Sequence, residues 1–342
     1  MSILCSARRA LGAGARLVLA IATLGGCART ASVAFESSGA SLTIHKPALY
    51  PETIAYDRAR DAFLVSSFRE GAIYSVDRRG DATILVNDER LCSVLGIAID
   101  AERGRVWAVN SDFASSLKPS AAGPKQLAAV GVYDLSSGKA LQYVDVSGLS
   151  SGPHLLNGIA LDASGDAYVT DSFSPSIYKV DASGRASLFL KDARFAGEGI
   201  NLNGLIVHPD GYLLVIKKSD GALFKVPLAN PAALTQVGLD APLVGGDGVL
   251  LAGDRTLIVI ANQVPGKASN AAIALASEDG WATAKVRAQQ RLGDVYPTTA
   301  VVRDGALYVI HSKLNELLQS PPEQKAALRV EATIREIGKV AL

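Results

Sequence analysis

Cysteine is scarce in this chain of 342 residues: it has three, Cys5, Cys27 and Cys92, too few and too scattered for a disulfide scaffold. The four histidines, His45, His154, His208 and His311, have no metal-ligand spacing, and with the thinly spread cysteines this argues against zinc. No basic run occurs anywhere, and the formal net charge is +1, so the electrostatic footprint of a nucleic-acid-binding protein is absent. No apolar run long enough for a permanent membrane helix is present, because the stretch from Leu17 to Ala22 is too short to cross a bilayer. A nucleophile elbow, a phosphate loop and a dinucleotide fingerprint are also missing. Hydrophobic residues nevertheless make up 49% of the chain, enough for a substantial interior.

Residues 1 to 26 carry Arg8, Arg9 and Arg16 and no acid, followed by the short apolar run, which is the form of an export signal. Its end, Leu24-Gly25-Gly26-Cys27, resembles the lipobox of bacterial lipoproteins, which makes Cys27 the expected lipidation site and first mature residue. An ordinary cleaved signal followed by a chance cysteine is the alternative. On the lipoprotein reading Cys5 leaves with the signal, Cys27 carries lipid, and Cys92 has no bridging partner. Residues 27 to 45, rich in Ala, Ser, Thr and Gly, read as a tether, and 46 to 342 as the folded domain. The expectation is an exported monomer anchored through lipid to the periplasmic face of the outer membrane or to the cell surface.

One motif recurs six times: ETIAYD from Glu52, LGIAID from Leu95, NGIALD from Asn157, NGLIVH from Asn203, DGVLLA from Asp247 and TTAVVR from Thr298. Each is an apolar run followed by a turn and a second apolar run. The spacing matches propeller repeats of about 40–50 residues, except for a longer gap between Leu95 and Asn157. That excess falls in 113 to 130, a stretch with Ser115, Ser116, Pro119, Ser120, Gly123 and Pro124 that reads as an inserted loop on one face. The chain is therefore expected to be all-β, a six-bladed β-propeller of four-stranded antiparallel blades. Tyr74, Tyr133, Tyr178 and Phe224 recur on third strands and read as packing between blades. The last blade is short of strands, so 329 to 337 and 41 to 45 are expected to latch it from the two ends of the chain.

The variable first residue of each motif would enter the central channel at one face. Glu52, Asn157, Asn203 and Asp247 would then meet as a hard, oxygen-only cluster, the ligand set Ca²⁺ prefers, with Mg²⁺, Mn²⁺ or Zn²⁺ less favoured. The same residues could instead plug the channel through bridging water. Gly158, Gly204 and Gly248 follow three of these residues and are expected to let backbones approach near a crowded axis, since each motif already has its hairpin turn downstream. Second-strand ends supply another set, Ser66, Asn110, Asp171, Lys217, Asn262 and His311, which would brace the first ring, contact substrate or simply cap the strands. Asn110, Asp171, Lys217 and Asn262, with Thr298 of the first ring, are the substrate-binding candidates. His154 and His311 are candidate proton-transfer groups, although a satisfied loop histidine is the favoured reading for each. His45 and His208 read as surface residues.

These positions resemble the senescence marker protein/gluconolactonase family of six-bladed propellers over roughly residues 48 to 312. The resemblance rests on Pro51-Glu52, Asn157-Gly158, Asn203-Gly204 with Pro209-Asp210-Gly211, and Asp247-Gly248. It implies that Glu52, Asn203 and Asp247 ligate a divalent ion, usually calcium, with Asn157 as a fourth ligand or a substrate contact. It also implies hydrolysis of a small cyclic ester, with Asp247 as the first candidate base ahead of His154 and His311. Blade one departs from the family, reading Pro-Glu-Thr-Ile, and Leu95 and Thr298 leave two blades without a strong ligand. An exported binding propeller with a structural ion is the competing expectation.

Overall fold

The computed structural model describes residues 32–341 apart from 37, 38 and 266. The export signal and Cys27 lie outside the described residues. Six antiparallel sheets surround one axis, confirming the six-bladed propeller. Their innermost strands are Ile54–Asp57, Ser93–Asp100, Leu156–Leu161, Leu202–His208, Gly246–Leu251 and Pro297–Arg303, each containing or directly following one of the recurrent motif starts. Blade five carries an additional short strand, Gly238–Leu239, parallel to its outer strand Thr283–Arg291. Among the described residues no helix is long and apolar enough to cross a membrane.

Period-two alternation explains why the strands read as nearly continuous apolar runs. Successive side chains leave a strand on opposite faces, and here each face meets a different neighbouring blade. On Tyr212–Lys217, for example, Leu213 and Val215 pack with Tyr168 and Ile177 of blade three, whereas Leu214 and Ile216 pack with Leu257 and Val259 of blade five. The same division holds around the ring, ending with Phe63 and Val65 of blade one against Ile310 and Ile334 of blade six. Tyr74, Tyr133, Tyr178 and Phe224 are all buried in these interblade cores.

The circle closes through both ends of the chain. Thr333–Ala341 is the third strand of blade six, and Ser41–Thr43 and Ser32–Ala34 both pair antiparallel to it, Leu42 opposite Ile334 and Val33 opposite Val340. Part of the stretch read as tether is therefore strand. Between the second and third strands of this blade lie two short helices, Leu314–Gln319 and Pro322–Lys325, of which the first packs over the channel mouth.

Close approach near the axis depends on the motif glycines. A Cβ added to Gly96 would lie 2.4 Å from the carbonyl oxygen of Asn157, one at Gly158 2.5 Å from that of Asn203, and one at Gly204 2.4 Å from that of Asp247. Each glycine thus backs onto the motif-start residue of the next blade. At the last junction Thr299 takes this role with its hydroxyl, accepting from the Ile54 amide at 3.0 Å and donating to the Glu52 carbonyl at 3.2 Å.

Candidate functional site at the channel mouth

All six motif-start residues, Glu52, Leu95, Asn157, Asn203, Asp247 and Thr298, line one small cavity of about 30 Å³ on the axis. That is room for about one water molecule or one ion. None of the six is more than 5% exposed. Above them sits an apolar cap built from Tyr50, Phe68, Leu155 and Tyr296 together with Leu314 and Leu317 of the first short helix. Phe113, from the insertion in blade two, packs on the same cap, so the insertion folds over the mouth. Below, an axial channel of about 140 Å³ is shared by Glu52, Asn157 and Asn203 and walled by the motif glycines.

A second set of residues meets this ring, and a uniform backbone hydrogen bond identifies it. The amides of Phe68, Ser172, Lys218, Asn262 and Ser312 each donate to the carbonyl of the residue two before a motif start: Tyr50, Leu155, Asn201, Gly245 and Tyr296. Ser111 holds the same place opposite Ser93. The residue just past the expected second-strand ends is therefore the one near the axis in most blades. Serine fills this place in three blades, and at Ser111 and Ser172 the hydroxyl ties blades together, as when Ser172 donates to the Leu202 carbonyl at 2.6 Å. Blade four has Lys218 instead.

Lys218 is the residue that sequence reasoning missed. Its ammonium lies 2.5 Å from Asp247 Oδ2 and donates also to Asn262 Oδ1. Asn262 Nδ2 in turn donates to the same Asp247 Oδ2 at 2.6 Å and to the Pro297 carbonyl at 2.9 Å. The ring of Tyr296, a residue held at a left-handed φ of 46°, stands with its centroid 5.7 Å from the ammonium. Burial opposes the lysine charge, but Asp247, Tyr296 and Glu52 outweigh it and hold the Lys218 pKa above its ordinary value. Burial, then the neighbouring charge of Asp247, pushes the Glu52 carboxyl well above the usual carboxylate range.

Several oxygens at the cavity have no partner in the protein. Asp247 Oδ1 and Thr298 Oγ1 are buried without a hydrogen bond. Asn157 donates its amide to Ser172 Oγ at 3.0 Å, so its carbonyl oxygen is the uncommitted end. A buried acceptor left unpaired is costly, and a set of unpaired hard oxygens around a space of this size fits a small cation. Among the described residues no three His, Cys, Asp or Glu side chains gather, so an ion here would rely on amide oxygens as well as the two carboxylates. The site's formal charge, with Lys218 counted, is that of two carboxylates and one ammonium.

The other candidates lie elsewhere. His154 points Nδ1 at Asp171 Oδ2, 2.7 Å away, and this hydrogen bond, against the effect of burial, raises its pKa. Asp171 also accepts from the Leu155 amide at 2.9 Å, so the pair braces the loop entering blade three and does not line the cavity. Asn110 is committed to the Cys92 amide, the Arg90 carbonyl and the Tyr143 hydroxyl. Lys217 reaches the carbonyls of Arg194 and Ala196 and the carboxylate of Asp220. His311 is buried with Nε2 unpartnered, and burial followed by the Arg335 charge pushes its pKa down to about 4. It too lies outside the cavity lining. Of the second-strand set, Asn262 touches the ring as a brace for Asp247, and Ser66 Oγ accepts from the Glu52 amide at 3.1 Å. Contrary to expectation, His208 is buried, stacked 4.3 Å from Tyr212 and hydrogen-bonded to the Asp254 carbonyl.

Beside this small cavity a groove of about 730 Å³ runs over the same face. Ile200, Lys218, Tyr296 and Leu318 belong to both spaces, so these four residues form the partition between groove and ring. Gln263, Asn315 and Gln319 give the groove amide groups, and Val264 and Pro265 give it an apolar side.

No family model matches the sequence, and no curated protein matches it at the sequence level. Solved structures do match across most of the chain. The major allergen Mala s 1 of Malassezia sympodialis superposes with a TM-score of 0.68 at 18% identity, covering 88% of this chain and 96% of the allergen. Luciferin-regenerating enzyme gives 0.58 at 14% identity, covering 86% and 94%. A gluconolactonase-family protein gives 0.56 at 14% identity, covering 88% and 93%. At these identities the likeness is one of fold, the six-bladed propeller, and function has to be argued from the site.

Proposed function

We propose that this chain is a hydrolase of small cyclic esters, of lactone type, working at the propeller mouth with a divalent ion, calcium by preference, held by Glu52, Asn157, Asn203 and Asp247. The observation that carries the reading is Asp247 itself, with one carboxylate oxygen fixed by Lys218 and Asn262 and the other buried without a partner. When bound, such an ion would supply Lewis-acid polarisation of the ester carbonyl. Lys218 and Asn262 hold Asp247 in one orientation, which leaves Oδ1 as the proton acceptor for an attacking water. The water's oxygen bonds to the carbonyl carbon, the ring C–O bond breaks, and the leaving alkoxide takes the proton back from Asp247 Oδ1. The apolar cap limits bulk water at the ring, and the groove is large enough for a small-molecule substrate. His154 and His311 have no part in this scheme. The likeness in fold to a gluconolactonase-family protein is in keeping with it. Export and lipidation at Cys27 belong to the same reading through the Leu24-Gly25-Gly26-Cys27 signal.

A screen of lactones and esters in millimolar calcium, repeated after chelation and with Asp247→Asn, tests the proposal. Loss of a positioned general base should lower turnover by about 10²–10⁴-fold. Wild-type rates in Asp247→Asn would remove the assignment. One observation favours a second reading, a non-catalytic tethered binder with a structural ion: the ring cavity holds about one water and lies under an apolar cap. No turnover of any ester while the ion is bound would decide for the binder.

A further inference from the structure

Resting on that reading of the ring as a cation site, we infer that Lys218 is a built-in rival for the cation: its ammonium occupies one side of Asp247, so the mouth holds together without a divalent ion and binds one only weakly. Position carries the first part of the argument. In blades two, three and six the equivalent residue is Ser111, Ser172 or Ser312, a short hydroxyl that ties blades together at Ser111 and Ser172 and accepts from the Leu314 amide at Ser312. Lysine at this point reaches across to blade five with a charged group where those blades have only a hydroxyl. Its neighbours, moreover, are built around it: Asp247 and Asn262 both accept from the ammonium, and Tyr296 stands over it.

Charge carries the second part. In the ionised form that ligates a cation, Glu52 and Asp247 bring two negative charges to the ring, which a divalent ion alone would neutralise. With Lys218 present one negative charge remains, so a divalent ion overshoots and must sit beside an ammonium that shares its Asp247 ligand. Like charges at such separations repel strongly even at an effective dielectric of about 20. Allowing for movement of the lysine chain, the expected penalty is about a hundredfold in affinity. Asp247 Oδ1, still unpartnered, is the place where the ion and the ammonium compete through one carboxylate.

Calorimetric titration with calcium chloride and thermal melting in chelator or calcium, on the full-length protein and on Lys218→Met and Lys218→Arg, test this. Wild type and Lys218→Arg should bind calcium weakly and melt at the same temperature in both conditions. Lys218→Met should bind about a hundredfold more tightly and be stabilised by calcium, because the ion then replaces the missing charge. If Lys218→Met does not fold, the wild-type melts still decide: a transition that drops sharply on chelation overturns the inference. Equal, tight binding by wild type and Lys218→Met would also overturn it while leaving the metal reading intact. Absence of binding in wild type and folded Lys218→Met alike would overturn the cation site and this inference together.

Discussion

Acid should weaken this propeller through His311 in a way that can be isolated from every other group. The imidazole is 4% exposed at the end of the second strand of blade six, opposite Pro297 and Thr333, with Nε2 unpartnered and Arg335 as the nearby charge. Burial and that guanidinium lower its pKa from 6.5 to about 4, so as pH falls the unfolded chain takes up the proton first. The stability tied to the neutral ring is fully present above the unfolded value and is lost as pH falls from 6.5 toward 4. Linkage puts the loss at about 2 kcal/mol near pH 5, rising to about 3 kcal/mol at the acid limit. Denaturant unfolding of wild type and His311→Leu across this range measures it, since other titrating groups cancel to first order in the difference between the two. Leucine removes an unpaired buried nitrogen, so the variant should be near wild type at about pH 8 and gain relative to it below about pH 6. Parallel pH profiles for the two proteins would refute the reasoning, because they would mean that His311 is as easily protonated in the fold as out of it.

Two further tests address the axis and the lone described thiol. Gly204→Ala would drive a Cβ to 2.4 Å from the Asp247 carbonyl oxygen and 2.9 Å from the Val249 nitrogen, both backbone atoms of the next blade. Forced overpacking of this kind costs about 1–3 kcal/mol or more, read as a lowered melting temperature, and an unchanged transition would mean that the inner strands are not packed as described. Cys92 is 2% exposed, and burial followed by the charge of Asp112 raises its thiol to about 11. A thiol reagent at about pH 8 should therefore modify it only after denaturation, whereas rapid labelling of the folded protein would contradict the burial.

How far the sequence could be read follows from which signals are local. The blade count and the first ring were legible because a polar residue, a glycine and an apolar run return in the same order, and the glycines at 158, 204 and 248 each answer a backbone contact from the next blade. Closure by 41–45 and 329–337 was legible as a shortage of strands in the last blade. Strand Ser32–Ala34 was not, since its pairing is decided by the free edge of a strand some three hundred residues away and not by its own composition.

The second ring failed for a more instructive reason. Strands buried on both faces carry no polar alternation, so nothing local says which face of Tyr212–Lys217 looks toward which neighbour. Packing settles it: Leu213 and Val215 face blade three, and Lys217 follows them to the carbonyls of Arg194 and Ala196. Leu214 and Ile216 face blade five, and Lys218 follows them to Asp247. Two adjacent lysines therefore have different fates, one bracing a loop and the other entering the site, and the choice between them is a one-residue question of phase. The same phase explains Asn110 and Asp171, which turn back toward the preceding loop, while Ser111 and Ser172 reach forward to the next blade. Had the serines at 111, 172 and 312 been taken as the repeat position, Phe68, Lys218 and Asn262 would have stood out as its exceptions, and the last two are the side chains that hold Asp247 in place.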